Sequence, residues 1–370
     1  MTEGRTQSQT DFDLHGLVGI RALDGDPDDV AVLERQLGPI RAPLDREPDI
    51  TVRFVDRVAP GSRLVYLGVD DAAFTDDAFL VLRSKHKARA MVQIPFEELG
   101  TRPEIVCERG LPAVPLLIPI VNLTALANGA LPLHASAFKY AGAGVVCTGW
   151  SKGGKTEALL AFVANGAEYI GDEWVYVSAD GERVYGIPEP IRVWSWHLEH
   201  LPKYREALAR GERARLGALR ALESVDRALP RAGSSRTRDR ALSLVRRQLH
   251  VDAGPARLFG DLGPLSGPFD VLFFVASHDS PEITVEPIAP LEVARRMVFS
   301  LLHERLDLME AYLKFRFAFP DRSCPLIEEA AELQRERLER LLPGKRAYAV
   351  RHPYPFPIPA LVEAMSPFCE

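Results

Sequence analysis

The sequence predicts an α/β fold built around a phosphate-binding loop, and three adjacent segments support this prediction. An apolar, β-branched stretch at 144–148 is typical of a buried strand. The next eight residues, 149–156, match the pattern G-x-x-x-x-G-K-[ST]. Good helix formers follow at 157–164 and end before Asn165-Gly166, a C-terminal cap. A strand, a glycine loop and a helix start form an anion site, because free N–H groups and the helix dipole favour phosphate there.

Each residue type in the loop has a mechanical role in holding a nucleotide. The glycines let backbone N–H groups curl around phosphates, Lys155 reaches the outer phosphates, and the Thr156 hydroxyl can hold Mg²⁺. Glu157 is either a second metal contact or a first-turn glutamate that suits the helix dipole. The alternative for the whole motif is a chance match in a glycine-rich turn. The residues expected to contact the nucleotide are Gly149, Ser151, Lys152, Gly153, Gly154, Lys155, Thr156 and Glu157.

Two carboxylates and one histidine extend the candidate site. A short strand beginning at Glu168 ends in Asp172-Glu173, and an acid there is the usual second Mg²⁺ contact beside a phosphate loop. We therefore assign Thr156 and Asp172 to the metal, with an ordinary acidic turn as the alternative. Upstream, 134–140 reads as a strand that turns at 141–144 into the loop strand. His134 starts that hairpin, so it is either structural or part of the site.

These segments resemble the HPr kinase/phosphorylases and the wider group of HPr-kinase-like proteins. The matching pieces are His134, 149–156, Glu157, Asn165-Gly166, Asp172-Glu173 and, more weakly, 249–260, which ends in Leu-Phe-Gly. Lys152 stands where the family usually has the first inner glycine, Ala135 replaces a glycine, and Glu173 replaces the second Asp. The Arg-Gly-Leu-Gly run that precedes Leu-Phe-Gly in the family is missing. The resemblance therefore implies a divergent relative with another substrate.

The resemblance implies a P-loop kinase core of the HPr kinase and PEP carboxykinase type. It also implies transfer of the γ-phosphoryl group of ATP, with Mg²⁺, to a hydroxyl of a protein, a peptide or a small molecule. Lys155 would hold the phosphates, and Glu173 would accept the hydroxyl proton, or Asp172 if the metal is held otherwise. His134 would orient that acid or contact the phosphate. The alternatives are a nucleotide-binding regulator without turnover and an NTPase stimulated by a partner.

Composition restricts the class of protein. The chain has 370 residues, which is enough for two domains or for one core with appendages. A net charge of −6 gives no sign of nucleic-acid binding. The four cysteines form no C-x-x-C pair, which favours a reducing cytoplasm without structural zinc. We expect no signal peptide and no membrane span. The family resemblance also suggests a homo-oligomer.

We expect four regions along the chain. Residues 1–15 are predicted to be a disordered tail, and 16–112 to be an N-terminal α/β lobe with strands at 50–55, 63–68, 78–82 and 88–94. The nucleotide core should span 113–295, with an apolar central strand at 270–276. Residues 296–370 should be mainly helical.

Within the core, residues 202–249 are helical in composition and dense in arginine. This segment is predicted to be either a solvated basic helical hairpin or a lid with one arginine acting at the phosphates. The candidate arginines are Arg236, Arg238, Arg246 and Arg247.

Overall fold

Two large mixed β-sheets and the helices packed on them organise the chain. They are seen in a computed structural model, which describes residues 8–68, 71–83, 89–228 and 236–369. The α/β class predicted from the sequence is therefore confirmed.

The first sheet contains the N-terminal strands in the order β1-β2-β3-β8-β7-β6-β5-β4. Its elements are β1 (Gln9–Leu14), β2 (Val18–Leu23), α1 (Pro27–Leu37), β3 (Ile50–Val55), β4 (Val65–Leu67), β5 (Ala72–Phe74), β6 (Phe79–Arg83), β7 (Arg89–Gln93) and β8 (Glu104–Glu108). The strands β2, β3 and β8 are parallel, and the other pairings are antiparallel. The four strands predicted in this region are present, at bounds that differ by at most a few residues from the predicted ones.

The disordered tail predicted for residues 1–15 is wrong over its second half. Residues 9–14 form β1, which pairs with β2 along its whole length. The side chains of Phe12 and Leu14 are fully buried in the core of this sheet. Phe12 and Leu14 alternate with polar residues, but this short pattern follows a polar N-terminal stretch. The polar composition of the region therefore favoured a prediction of disorder over a strand. Residues 1–7 lie outside the described part of the chain.

The second sheet holds the phosphate-loop motif and has the order β16-β13-β12-β9-β10-β17-β19-β18, with β11 paired to β9. Its strands are β9 (Leu131–Tyr140), β10 (Ala143–Thr148), β11 (Glu168–Gly171), β12 (Trp174–Val177), β13 (Arg183–Gly186), β16 (Ser266–Pro268), β17 (Val271–Ser277), β18 (Thr284–Pro287) and β19 (Arg346–His352). The strands β14 (Ile191–Trp194) and β15 (His250–Ala253) form a separate ribbon.

Most of the helices after the first sheet contribute side chains to three apolar clusters, one at the first sheet and one on each face of the second sheet. The helices of this part of the chain are α2 (Leu117–Ala127), α3 (Lys155–Ala164), α4 (His197–His200), α5 (Lys203–Glu206), α6 (Arg210–Ala228), α7 (Arg236–Arg247), α8 (Pro255–Phe259), α9 (Pro290–Glu304), α10 (Leu306–Ala318), α11 (Pro325–Leu341) and α12 (Pro359–Met365). In the residues that the structure describes, no helix is long and apolar enough to cross a membrane.

Two predictions about the second sheet and one about the Arg-rich segment are confirmed. Strands β9 and β10 form the expected antiparallel hairpin. Strand β17 is central, because it lies parallel to β10 on one side and to β19 on the other. The Arg-rich segment contains two long helices, α6 and α7, although part of the break between them, 229–235, lies outside the described residues. The sheet also continues past residue 295, the predicted end of the core, because β19 belongs to it.

Alternation along β10 places helices on both faces of this sheet. Val145 and Cys147 pack in the buried cluster that contains α3, whereas Val146 packs in the cluster that contains α9. The strands β10, β17 and β19 run parallel, so their carboxyl ends lie at the same edge. The crevice at such an edge is where open α/β sheets bind ligands, and the loop between β10 and α3 begins there.

A core substitution tests whether residues 9–14 are folded. Phe12→Ala should lower the free energy of unfolding by about 3–5 kcal/mol, because it leaves a cavity in the first sheet. Gln9→Ala, at an exposed position of the same strand, should change it by less than about 0.5 kcal/mol. Urea unfolding of both variants measures the difference, and equal stabilities would mean that this segment does not pack.

Candidate functional site

The loop at 149–154 is held so close to neighbouring strands that two of its positions require glycine. A Cβ on Gly149 (φ 150°) would lie 2.3 Å from the carbonyl oxygen of Val275 in β17. A Cβ on Gly154 (φ 106°) would lie 2.4 Å from Nε2 of His352 in β19. Both contacts are far shorter than carbon permits. The glycines of the motif therefore allow the loop to lie against the ends of two parallel strands.

Lys152 has a left-handed backbone, with φ 63°. This is the position where the resembling family usually has a glycine. The conformation is strained by roughly 1–2 kcal/mol for a residue with a Cβ, yet the Lys152 side chain is exposed and has space. The loop therefore keeps the backbone that a glycine would favour, despite the substitution.

Lys155 is the buried cation of the site. Its Nζ donates a hydrogen bond to the carbonyl oxygen of Trp150 at 3.0 Å, and its own carbonyl accepts one from Ser136 Oγ at 2.8 Å. Burial lowers the pKa of Lys155, and the nearby Glu173 and Asp172 carboxylates oppose that shift. The ammonium is thus enclosed by the loop and faces acidic groups, as expected for a lysine that binds phosphate.

Thr156 and Asp172 lie together, as the sequence predicts. The Thr156 hydroxyl is 3.0 and 3.2 Å from the two carboxylate oxygens of Asp172. Burial, reinforced by the charge of Glu173, raises the pKa of Asp172 to about 7. A hydroxyl and a carboxylate are the hard oxygen ligands that Mg²⁺ takes from protein when phosphates and water complete its shell. Among the described residues, no group of three or more His, Cys, Asp or Glu side chains could hold a metal alone.

His134 lies between two carboxylates. Its Nε2 is 3.1 Å from an oxygen of Glu173, and its Nδ1 is 3.0 Å from an oxygen of Glu304 at the end of α9. Burial alone would lower the pKa of His134, but the interactions with both carboxylates raise it overall. The same contacts lower the pKa of Glu173, chiefly through the hydrogen bond to His134. His134 therefore contacts two carboxylates beside the phosphate loop.

Glu173 is accessible, whereas its neighbour is enclosed. Its side chain is 53% exposed, while the Asp172 residue is 3% exposed. The Glu173 backbone is left-handed, with φ 62°. This conformation is uncommon for a residue with a Cβ, and such residues are concentrated at functional sites. The sharp turn at the end of β11 therefore directs one carboxylate inward and the other outward.

Glu157 has a partner that the sequence did not indicate. One of its carboxylate oxygens is 3.2 Å from Nε2 of His197, and the backbone N–H of Trp194 donates to Nδ1 of that ring at 3.3 Å. Because Nδ1 accepts, Nε2 carries the proton and donates to Glu157. Burial would raise the pKa of Glu157, but His197 holds it below the usual value. This bond fixes the glutamate in place at the first turn of α3.

His352 supports the loop from behind. The ring is fully buried, with Nε2 2.8 Å from the carbonyl oxygen of Gly153 and Nδ1 2.8 Å from that of Pro353. Ser300 of α9 supports the other side, because its hydroxyl donates to the Gly149 carbonyl at 3.3 Å. His303, one turn further along α9, stacks on Trp150 with ring centroids 5.0 Å apart. The loop is thus braced by both β19 and α9.

The structure brings together His134, Lys155, Thr156, Asp172 and Glu173, and adds His197, Glu304 and His352. No local pattern marks the added residues, since they are far along the chain from the motif. Two of the four arginines predicted for a lid have side chains that the structure describes. Arg246 of α7 contacts Glu223 of α6 at 3.1 Å, Arg247 is exposed, and the side chains of Arg236 and Arg238 lie outside the described residues.

A comparison of the sequence with models of protein families gave no match, and neither did a comparison with curated proteins.

Paired glycine variants test the close packing of the loop. Gly142→Ala (φ 89°) meets open space, so it should cost only the left-handed strain of roughly 1–2 kcal/mol. Gly154→Ala adds a clash with His352, which should raise the loss of unfolding free energy by about 1–3 kcal/mol more. Denaturant unfolding compares the two. A Gly154 variant as stable as the Gly142 variant would contradict the packing described here.

Proposed function

We propose that this chain is an ATP- and Mg²⁺-dependent kinase that transfers the γ-phosphoryl group to a hydroxyl. The observation that carries the proposal is the accessible Glu173 carboxylate, held by His134 at 3.1 Å beside the buried Lys155 and the Thr156–Asp172 pair. The sequence resemblance to HPr-kinase-like proteins supports the same reaction class. The bound nucleotide supplies the phosphoryl group, and its Mg²⁺ supplies charge neutralisation.

The loop and Lys155 bind the phosphates in this proposal. The close approach of Gly149 and Gly154 to β17 and β19 shapes the cradle. The N-terminus of α3 adds free N–H groups and the positive end of the helix dipole. The ammonium of Lys155 is already desolvated, so its attraction to phosphate is screened less than at a surface. Thr156 and Asp172 offer oxygen ligands for the magnesium ion.

Glu173 accepts the proton of the acceptor hydroxyl. A general base must be reachable by the acceptor and ionised before the reaction. Glu173 meets both conditions, because half of its side chain is exposed and His134 lowers its pKa. Asp172 suits the role less well on both counts, because it is buried and its pKa is raised. Glu304, on the far side of the ring, positions His134 against Glu173.

The role of Glu173 predicts a defect in turnover that is separate from binding. Glu173→Gln should lower the rate of ADP formation by roughly 10²–10⁴-fold, because a general base contributes about that much. Its affinity for Mg²⁺ and ATP should change little, because Lys155 and the loop remain. ADP release is followed with a panel of hydroxyl compounds, and nucleotide affinity by calorimetry.

The matched control is Glu168→Gln, which removes an exposed carboxylate at the start of the same strand, β11, where it pairs with Lys139. That variant should retain the wild-type rate. A Glu173→Gln rate equal to the wild-type rate would refute the base assignment. A wild-type chain that binds ATP but forms no ADP with any acceptor would favour a nucleotide-binding regulator instead.

A further inference from the structure

The ribbon of β14 and β15 has one buried face and one polar face. Its register opposes Arg192 to Asp252 and Trp194 to His250, so these four side chains share a face. The residues of the other face are buried: Ile191, Val193, Val251 and Ala253. The ribbon is therefore amphipathic, and its polar face is the one that is not buried in the core.

The ribbon is attached to the start of α3, beside the phosphate loop. Its buried face packs in the same apolar cluster as Leu159 and Leu160 of α3. The last residue of β14, Trp194, donates its backbone N–H to His197, and that ring bonds Glu157 in the first turn of α3. The polar face also reaches the site, because the charges of Arg192 and Glu173 interact.

Arg192 is held in a fixed orientation. Its Nε and Nη2 atoms donate to the two oxygens of Asp252 at 2.8 and 3.0 Å, a bidentate pair that fixes the plane of the guanidinium. The Arg192 side chain is 50% exposed, and among the described residues Asp252 is its one hydrogen-bond acceptor. The remaining N–H groups are therefore available to a ligand.

A second arginine adds positive charge at the same ribbon. Arg215 of α6 donates to the carbonyl oxygens of His250 at 2.6 Å and Gln248 at 3.4 Å. Those acceptors are uncharged, so they leave the guanidinium charge in place. Burial and then the charge of Arg192 lower the pKa of His250, which keeps that ring neutral near pH 7. At the ribbon itself, the positive charges of Arg192 and Arg215 are opposed by the negative charge of Asp252.

We propose that Arg192 binds an anionic group of the acceptor, a carboxylate or a phosphate, and so selects hydroxyls that stand beside a negative charge. This proposal rests on the proposed kinase function and names its substrate class.

The electrostatics of the site explain why such a group is needed. Glu173 and Glu304 repel an anionic acceptor that approaches the proposed base, so the anion needs a cation to bind against. The planar guanidinium matches the geometry of carboxylate and phosphate oxygens. Asp252 holds that plane in place before the acceptor arrives, which reduces the entropy lost on binding.

Two matched pairs of probes test the proposal. N-acetylserine and N-acetylserinamide differ by one carboxylate, and glycerol 3-phosphate and glycerol differ by one phosphate. Dissociation constants are measured by ligand-observed NMR with Mg²⁺ and a non-hydrolysable ATP analogue. In the wild type, at least one anionic probe should bind about tenfold or more tightly than its neutral partner, because charge-assisted hydrogen bonds contribute that much. The pair that shows the preference separates carboxylate from phosphate acceptors.

Variants assign that preference to Arg192. Arg192→Gln should bring the affinities for the anionic probe and its neutral partner within about twofold of each other. Arg192→Lys should give an intermediate ratio, because it keeps the charge but loses the bidentate geometry of the guanidinium. Arg53→Gln is the matched control, since Arg53 makes the same bidentate pair with Glu104, at 2.8 and 3.0 Å, on the first sheet. It should keep the wild-type ratio.

The failure of this proposal differs from that of the proposed function. A wild-type chain that binds Mg²⁺ and ATP but prefers neither anionic probe contradicts the acceptor proposal alone. An unchanged preference in Arg192→Gln contradicts it as well. A wild-type chain that binds no nucleotide contradicts the proposed function itself.

Discussion

The close approach of the phosphate loop to two parallel strands is the constraint on which the site depends. Gly149 and Gly154 lie where a Cβ would overlap β17 and β19, and the buried ring of His352 contacts the Gly153 carbonyl. Strands β10, β17 and β19 must therefore be in register before the loop can take this shape. Because α9 packs on the other side through Ser300, residues from three distant parts of the chain determine one short segment.

The charge of the site follows from that arrangement. Lys155 and His134 face three carboxylates, those of Asp172, Glu173 and Glu304, while Glu157 is bonded to His197. Three carboxylates that face two cations repel one another and any added anion, unless a further cation is bound. In the proposed function, a divalent ion at Thr156 and Asp172 would offset this excess and let polyphosphate approach. In the proposal made for Arg192, the same charge balance accounts for its role toward an anionic acceptor.

Local patterns predicted the parts of the fold that local physics determines. The loop, the helix after it, the hairpin before it and the apolar β17 were all visible, because glycine spacing, cap residues and apolar runs act over a few residues. The strand at Phe12 was missed because its burial depends on pairing with β2 and on packing against residues that come later in the chain. Glu304, His197 and His352 were missed for a similar reason. They reach the site only through helix and strand packing, and their near neighbours give no signal of it.

Calorimetric titration with Mg²⁺ and ATP is the most direct test of whether this site binds nucleotide phosphates. It compares the wild type with Lys155→Ala and with Lys139→Ala, whose lysine is partly exposed and paired with Glu168. The account predicts saturable binding by the wild type and by the Lys139 variant, and none by the Lys155 variant, because its buried ammonium is gone. Equal affinity in all three proteins, or no binding by the wild type, would contradict it.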